Sequence, residues 1–184
     1  GVRNPEVLRR IEEALRALGL TGPMVLTGDT QAMLPTVTAA TEGYCIFAGT
    51  GSGAVRIRNG EIDAVVDAAG YLLGDLGSGF WLGHHAAIAV TAALEGRGPQ
   101  TVLTRAVLDS LGIPLSDEIN VDRRVMSLRD FIDAVYAMRP IELARFAPLV
   151  LANAGDPVAA DLLTQAKDYL LADFRLVFDP AMTG

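Results

Sequence analysis

Residues 45 to 66, CIFAGTGSGAVRIRNGEIDAVV, restrict the fold more than any other stretch of the chain. An apolar run ends in a glycine-rich bend, Gly49 to Gly53, after which Val55 and Ile57 alternate with Arg56 and Arg58. Period-two alternation marks a half-buried strand. Asn59-Gly60 follows, a pair that tolerates positive φ at both positions and so predicts a two-residue hairpin turn. The bend therefore joins two strands and does not lead into a helix. Small residues leave the backbone N–H groups of such a bend exposed in a concavity that suits phosphate oxygens.

Other glycine motifs fit less well. Gly49-x-Gly51-x-x-Ala54 matches a relaxed dinucleotide fingerprint, but that fingerprint needs a helix where a hairpin stands here. No Gly-Lys-Ser/Thr sequence marks a Walker-type loop. Lys167 is the single lysine among 15 basic residues, and its place in a C-terminal helix predicts that no lysine lies near the bend. Ser52 and Ser78 lack the glycines two residues to either side that a nucleophile elbow requires. His84 and His85 are adjacent and project about 100° apart on a helix, which is not metal-pair spacing.

A net charge of −7 argues against a nucleic-acid surface. It leaves room for an anionic ligand, because backbone dipoles and a divalent metal neutralise phosphate locally. No apolar run reaches membrane-spanning length, and GVRNPEVLRR holds no signal-peptide core. Cys45, the single cysteine, reads as a core thiol and excludes an intrachain disulfide; a cytoplasmic location is the expectation.

Asn4 caps a helix with Pro5 at its first position, and Val7, Ile11, Leu15 and Leu18 supply its apolar stripe. Pro23 to Thr27 reads as a short buried strand with Asp29 just past its end, and 30 to 41 as a helix or helical turn limited by Pro35. After the hairpin, residues 68 to 83 (AAGYLLGDLGSGFWLG) form a second glycine-rich loop feeding a helix from about Ser78 to Leu94. Helices are predicted over 101–111, 121–138, 141–154 and 158–178. Strands crowd the first 66 residues and helices the rest, which sets an α/β class. The chain starts just before a helix and stops just after one, so it is expected to be a piece of a larger protein.

Three elements have the chemistry of one cleft. Asp29 sits at a strand end, where α/β folds meet ligands. Thr50-Gly51-Ser52 form the tip of the bend. Asp75 lies among glycines directly before a helix N-terminus, which adds partial positive charge. Phosphoryl transfer needs an anion cradle, a carboxylate near the acceptor hydroxyl and a metal to offset charge. Capping roles for Asp29 and Asp75, and a ligand-free turn at Gly49–Gly53, remain the alternatives.

With IFAGTGSGAV, YLLGDLGSGFWLG and FAPLVLANAGDPVAADLL in view, the chain resembles the C-terminal part of the N-acetylglucosamine kinase and BadF/BadG-type ATPase family, of the actin–hexokinase–Hsp70 superfamily. The resemblance implies an α/β, ribonuclease-H-like (actin-like ATPase) fold, with a mixed sheet, a large helical portion and parts missing from this chain. Residues 1–42 would end the N-terminal lobe, and 43–184 would form most of the C-terminal one. It implies an ATP-dependent sugar kinase acting on a hydroxyl of an N-acetylhexosamine or related amino sugar, with ATP and Mg²⁺ as cofactors. Gly49, Thr50, Gly51 and Ser52 take the place of the second phosphate-binding motif, Asp29 that of the general base, and Asp75 and Gly70 that of sugar contacts. No metal-ligating residue is assigned.

Two segments depart from the pattern. A Gly-Trp-Gly segment reads Ala68-Ala69-Gly70, and the usual acidic residue after Asp75 is Leu76. The first phosphate loop and a Gly-Gly adenosine motif are absent, so the segment alone is not expected to turn over. A radical-dehydratase ATPase activator, which needs more cysteines, and an inactive sugar- or nucleotide-binding scaffold are the alternatives. The expected partner is a small sugar, with no nucleic acid or membrane; the helices after residue 120 are able to support a homodimer.

Overall fold

The computed structural model describes residues 4–23 and 29–182. Helix α1 (Pro5–Ala17) starts as its sequence demands, with the Asn4 side chain accepting from the Glu6 amide and Pro5 at the first turn. Its apolar stripe finds no cover: none of its residues is buried. The strand expected at Pro23–Thr27 falls almost wholly outside the described residues. The helix or helical turn expected over 30–41 takes the form of a short α2 (Asp29–Ala32) and a single 3₁₀ turn, Leu34–Thr36, which contains Pro35.

Three strands follow, β1 (Gly43–Ala48), β2 (Ser52–Arg58) and β3 (Glu61–Asp67), paired antiparallel in the order β1-β2-β3. Among the described residues the sheet is thus antiparallel throughout, where a mixed sheet was expected. Asn59 (φ 54) and Gly60 (φ 78) turn β2 into β3 with both central residues left-handed, as an Asn-Gly hairpin requires. The central strand is the most buried: Ser52 to Val55 and Ile57 are inaccessible or nearly so.

Helix α3 (Gly79–Leu94) is apolar nearly all round and forms the axis of the helical part. Around it lie α4 (Val102–Ser110), α5 (Met126–Tyr136), a 3₁₀ segment (Pro140–Phe146), α6 (Ala147–Ala152) and α7 (Pro157–Val177). Val90, Leu103, Phe131, Phe146 and Val150 fill the space between them. Gly83 lets the 3₁₀ segment come close: a Cβ there would stand 1.9 Å from the Leu143 carbonyl oxygen. Helix α5 begins five residues later than expected. Asn120 Oδ1 accepts from the amides of Asp122 and Arg124, and that turn, closed by the Ile119–Val125 bridge, competes with helix.

Helix α7 lies across the sheet and is stapled to it at its C-terminal end. Arg56 donates to the Val177 carbonyl, Arg58 pairs with Asp179, and Tyr44 packs on Phe174 and Phe178. The sheet and the helical part thus share one wall, and the Gly49–Gly53 bend sits where they meet. Among the described residues, no helix is long and apolar enough to cross a membrane.

Candidate functional site

The bend between β1 and β2 is anchored on almost every side. Its Gly49 amide donates back to the Gly51 carbonyl at 2.8 Å. The carbonyls of Gly49 and Thr50 accept from the first two amides of α3, Gly79 at 2.7 Å and Phe80 at 3.1 Å. Ser78 caps the next, with Oγ accepting from the Trp81 amide at 3.1 Å. The positive end of α3 is therefore spent on holding the bend, not held free for an anion as the sequence led one to expect.

Ser52 is fully buried. Its hydroxyl donates to the Leu76 carbonyl at 2.8 Å, and its amide to Asp75 Oδ1 at 3.3 Å. Its side chain thus anchors the bend. What the bend leaves open is its tip: among the described residues the amides of Thr50 and Gly51 have no acceptor, and Thr50 is exposed.

Asp75 does meet the bend. It is 7% exposed, in the left-handed region (φ 58), and its carboxyl packs on Gly51 so closely that a Cβ there would stand 2.8 Å from Oδ2. Gly70 lies five residues upstream in the same loop, exposed, its carbonyl accepting from the amides of Leu73 and Gly74.

Asp29 is not brought to this point. It is exposed at the start of α2, and its carboxylate accepts from the Thr30 amide at 2.8 Å. Two residues on, Gln31 Nε2 donates to the Gly60 carbonyl at 3.0 Å and to Glu61 at 2.9 Å. Gly60 belongs to the turn at the other end of β2, about 20 Å from the bend at roughly 3.3 Å of rise per residue.

Three charged groups at or near the bend escaped the sequence reading. Lys167 of α7 lines a groove of about 690 Å³ together with Gly49, Thr50, Leu163 and Leu170, which corrects the expectation that no lysine is near. Arg145 of the 3₁₀ segment shares a second cleft with Thr50 and Glu142. These two lie about 95 and 115 residues downstream of the bend, and no local pattern signals them. Asp67 ends β3 and accepts from the amides of Asp75 and Leu76. A lone Asp before Ala-Ala-Gly is a weak clue to such a turn.

The histidines are packing groups. His84 stacks on Phe80 and His85 on Trp81, whose carbonyl lies 2.8 Å from His85 Nδ1. Burial, with the neighbouring His85 charge, pushes the His84 pKa down. Among the described residues no three His, Cys, Asp or Glu side chains gather as around a metal ion.

The chain is similar, in sequence and in structure, to proteins named N-acetylglucosamine kinases, at modest identity and over part of their length. One is the N-acetylmuramic acid/N-acetylglucosamine kinase of Clostridium acetobutylicum, 28% identical over 109 residues, which make up 59% of this chain and 36% of that one. A solved structure from Chromobacterium violaceum, provisionally named an N-acetylglucosamine kinase, is 30% identical with a TM-score of 0.73. It covers 96% of this chain, which spans 57% of its length. Another from Porphyromonas gingivalis, named likewise, has 30% identity and a TM-score of 0.53, covering 72% of this chain and 42% of its own. The chain thus spans about a third to just over half of these relatives. No family model matches it.

Proposed function

We propose that the chain is part of an ATP-dependent sugar kinase that transfers the γ-phosphate to a hydroxyl of an N-acetylhexosamine or related amino sugar. The observation that carries this reading is the tip of the bend. Its carbonyls are fixed by α3 and its Ser52 by the second loop, yet the amides of Thr50 and Gly51 point to no acceptor among the described residues. Rigidly held amides with nothing to donate to are suited to phosphate oxygens. Lys167, whose ammonium pairs with Asp168 at 3.2 Å, and Arg145 each line a groove that Thr50 also lines, and would bring positive charge to it.

In this reading the fold is ribonuclease-H-like, with residues 1–42 ending one lobe and 43–184 forming most of the other. ATP supplies the phosphoryl group. Mg²⁺ takes one or two carboxylates and otherwise phosphate oxygens and water, so it demands no cluster of protein ligands. Gly49, Thr50, Gly51 and Ser52 form the phosphate loop, the last by anchoring it. Gly70 and Asp75 face the sugar, Asp75 through whatever acceptor capacity its bond to Ser52 leaves.

Asp29 is assigned the base that takes the proton from the attacking hydroxyl. That role requires α2 to sit at the bend and not at the Gly60 turn. ATP consumption by the full-length protein, coupled to a panel of amino sugars, tests the whole reading. Sugar-dependent turnover is expected, with Asp29→Asn lowering kcat about 10²- to 10⁴-fold. Turnover untouched by Asp29→Asn removes the base assignment. Sugar binding without any ATP consumption replaces the kinase with a binding scaffold.

A further inference from the structure

We propose that Asp67 is a positioning residue, whose carboxylate holds the phosphate bend in shape through the Asp75–Leu76 dipeptide. The proposal rests on the reading of that bend as a phosphate loop, but its geometry stands independently. Asp67 closes β3 in the left-handed region (φ 59) and turns its side chain across the second loop. One oxygen accepts from the Asp75 amide at 2.6 Å, the other from the Leu76 amide at 2.8 Å. A carboxylate accepting two successive amides makes charge-assisted bonds, about twice as strong as neutral ones.

The same dipeptide is gripped from the opposite side by Ser52. Its amide donates to the Asp75 carboxylate, and its hydroxyl donates to the Leu76 carbonyl. Residues 75–76 therefore form a bridge, with their amides on Asp67 and their acceptors on Ser52, the residue that follows the free Gly51 amide. Two further contacts shorten the span. The Ala68 amide donates to the Ser52 carbonyl at 3.0 Å, and Gly74 packs so closely on Asp67 Oδ1 that a Cβ there would stand 2.0 Å away. Asp173 faces this point from α7, with an Oδ2 that is buried and unpartnered among the described residues. Its carboxyl is pushed up by burial and then by the charge of Asp67. The bend is thus aimed by a carboxylate that need not touch any ligand.

A turn-forming role alone makes a different prediction. If Asp67 served only to adopt positive φ, glycine would do as well or better, since it enters that region without steric cost. Asp67→Gly therefore removes the tether and eases the backbone, while Asp67→Asn keeps the turn and one acceptor. Both are compared with wild type in the full-length protein by far-UV circular dichroism, by hydrogen exchange at residues 49–53 and 74–77, and by calorimetric titration with a non-hydrolysable ATP analogue and Mg²⁺. Asp67→Gly is expected to stay folded, to lose protection at Asp75, Leu76 and the bonded bend amides of Gly49 and Ser52, and to weaken analogue binding about tenfold or more. Asp67→Asn falls between. Unchanged exchange at 49–53 with wild-type affinity in Asp67→Gly overturns the proposal. If Asp67→Gly fails to fold, the same criteria apply to Asp67→Asn, and wild-type exchange at 49–53 in that variant overturns it. If the wild type binds no analogue, the phosphate reading falls alone: faster exchange spreading from 75–76 to 49–53 still sustains the tether, and faster exchange confined to 75–76 overturns it.

Discussion

Gly49–Gly53 and Asp67–Gly79 are both glycine-rich loops, and they use glycine for different physical reasons. In the first, no residue occupies the left-handed region, and two of its three glycines stand where a neighbour is close. Gly51 makes room for the Asp75 carboxyl, and Gly53 for Phe47 and Ala68. In the second, Asp67, Ala68, Gly70, Asp75 and Gly77 all have positive φ, so the chain path itself is unusual. The first loop is a regular bend kept smooth for a close neighbour. The second is a winding segment that supplies the neighbour. The lesson is that a glycine motif marks either a contact or a conformation, and its sequence does not tell which.

That contrast predicts graded consequences. The largest effect is expected at Gly77, where both reasons coincide: φ is +78, and a Cβ would stand 2.6 Å from the Ala166 carbonyl oxygen. Strain of ~1–2 kcal/mol together with a backbone clash costing ~1–3 kcal/mol puts Gly77→Ala near 3 kcal/mol, on the order of 10 °C in Tm by thermal unfolding. A melting temperature equal to wild type would mean that the second loop is looser than its geometry states. Gly51→Ala comes next and separates stability from binding. The Asp75 carboxyl has to move, so stability falls by only about 1 kcal/mol while calorimetry shows nucleotide-analogue affinity falling about tenfold.

The smallest effect, and of opposite sign, is expected from Asp173→Asn. Because its folded-state pKa is raised, this carboxyl favours the fold fully below the ordinary value of 3.8, and that contribution is lost as pH rises through the raised value. The substitution removes the buried charge, so the variant should melt a little higher than wild type at pH 7. The gain should vanish as pH falls below 3.8. Melting curves across that range check the sign, and an equal gain at every pH would detach it from the carboxyl.

How much of this was legible follows from the range of each contact. The Asn59-Gly60 turn and the cap at Asn4 are written in neighbouring residues, and the structure has them where their chemistry demands. The late start of α5 was hidden because Asn120 competes from outside the helical pattern. Lys167 and Arg145 were invisible as site residues, since only the packing of α7 and the 3₁₀ segment brings them to Thr50. Asp75 was expected to share a cleft with the bend, and its burial against Gly51 belongs to tertiary structure. For Asp29 the sequence offered a strand end beside a motif, while the Gln31–Gly60 contact holds α2 at the far turn.

The central claim concerns two backbone amides, and backbone-resolved nuclear magnetic resonance addresses them directly. Titrating a non-hydrolysable ATP analogue with Mg²⁺ into the full-length protein should move the amide resonances of Thr50 and Gly51 furthest, downfield, as they acquire phosphate acceptors. Binding that leaves those two resonances in place while others shift would contradict the assignment of the bend as a phosphate loop.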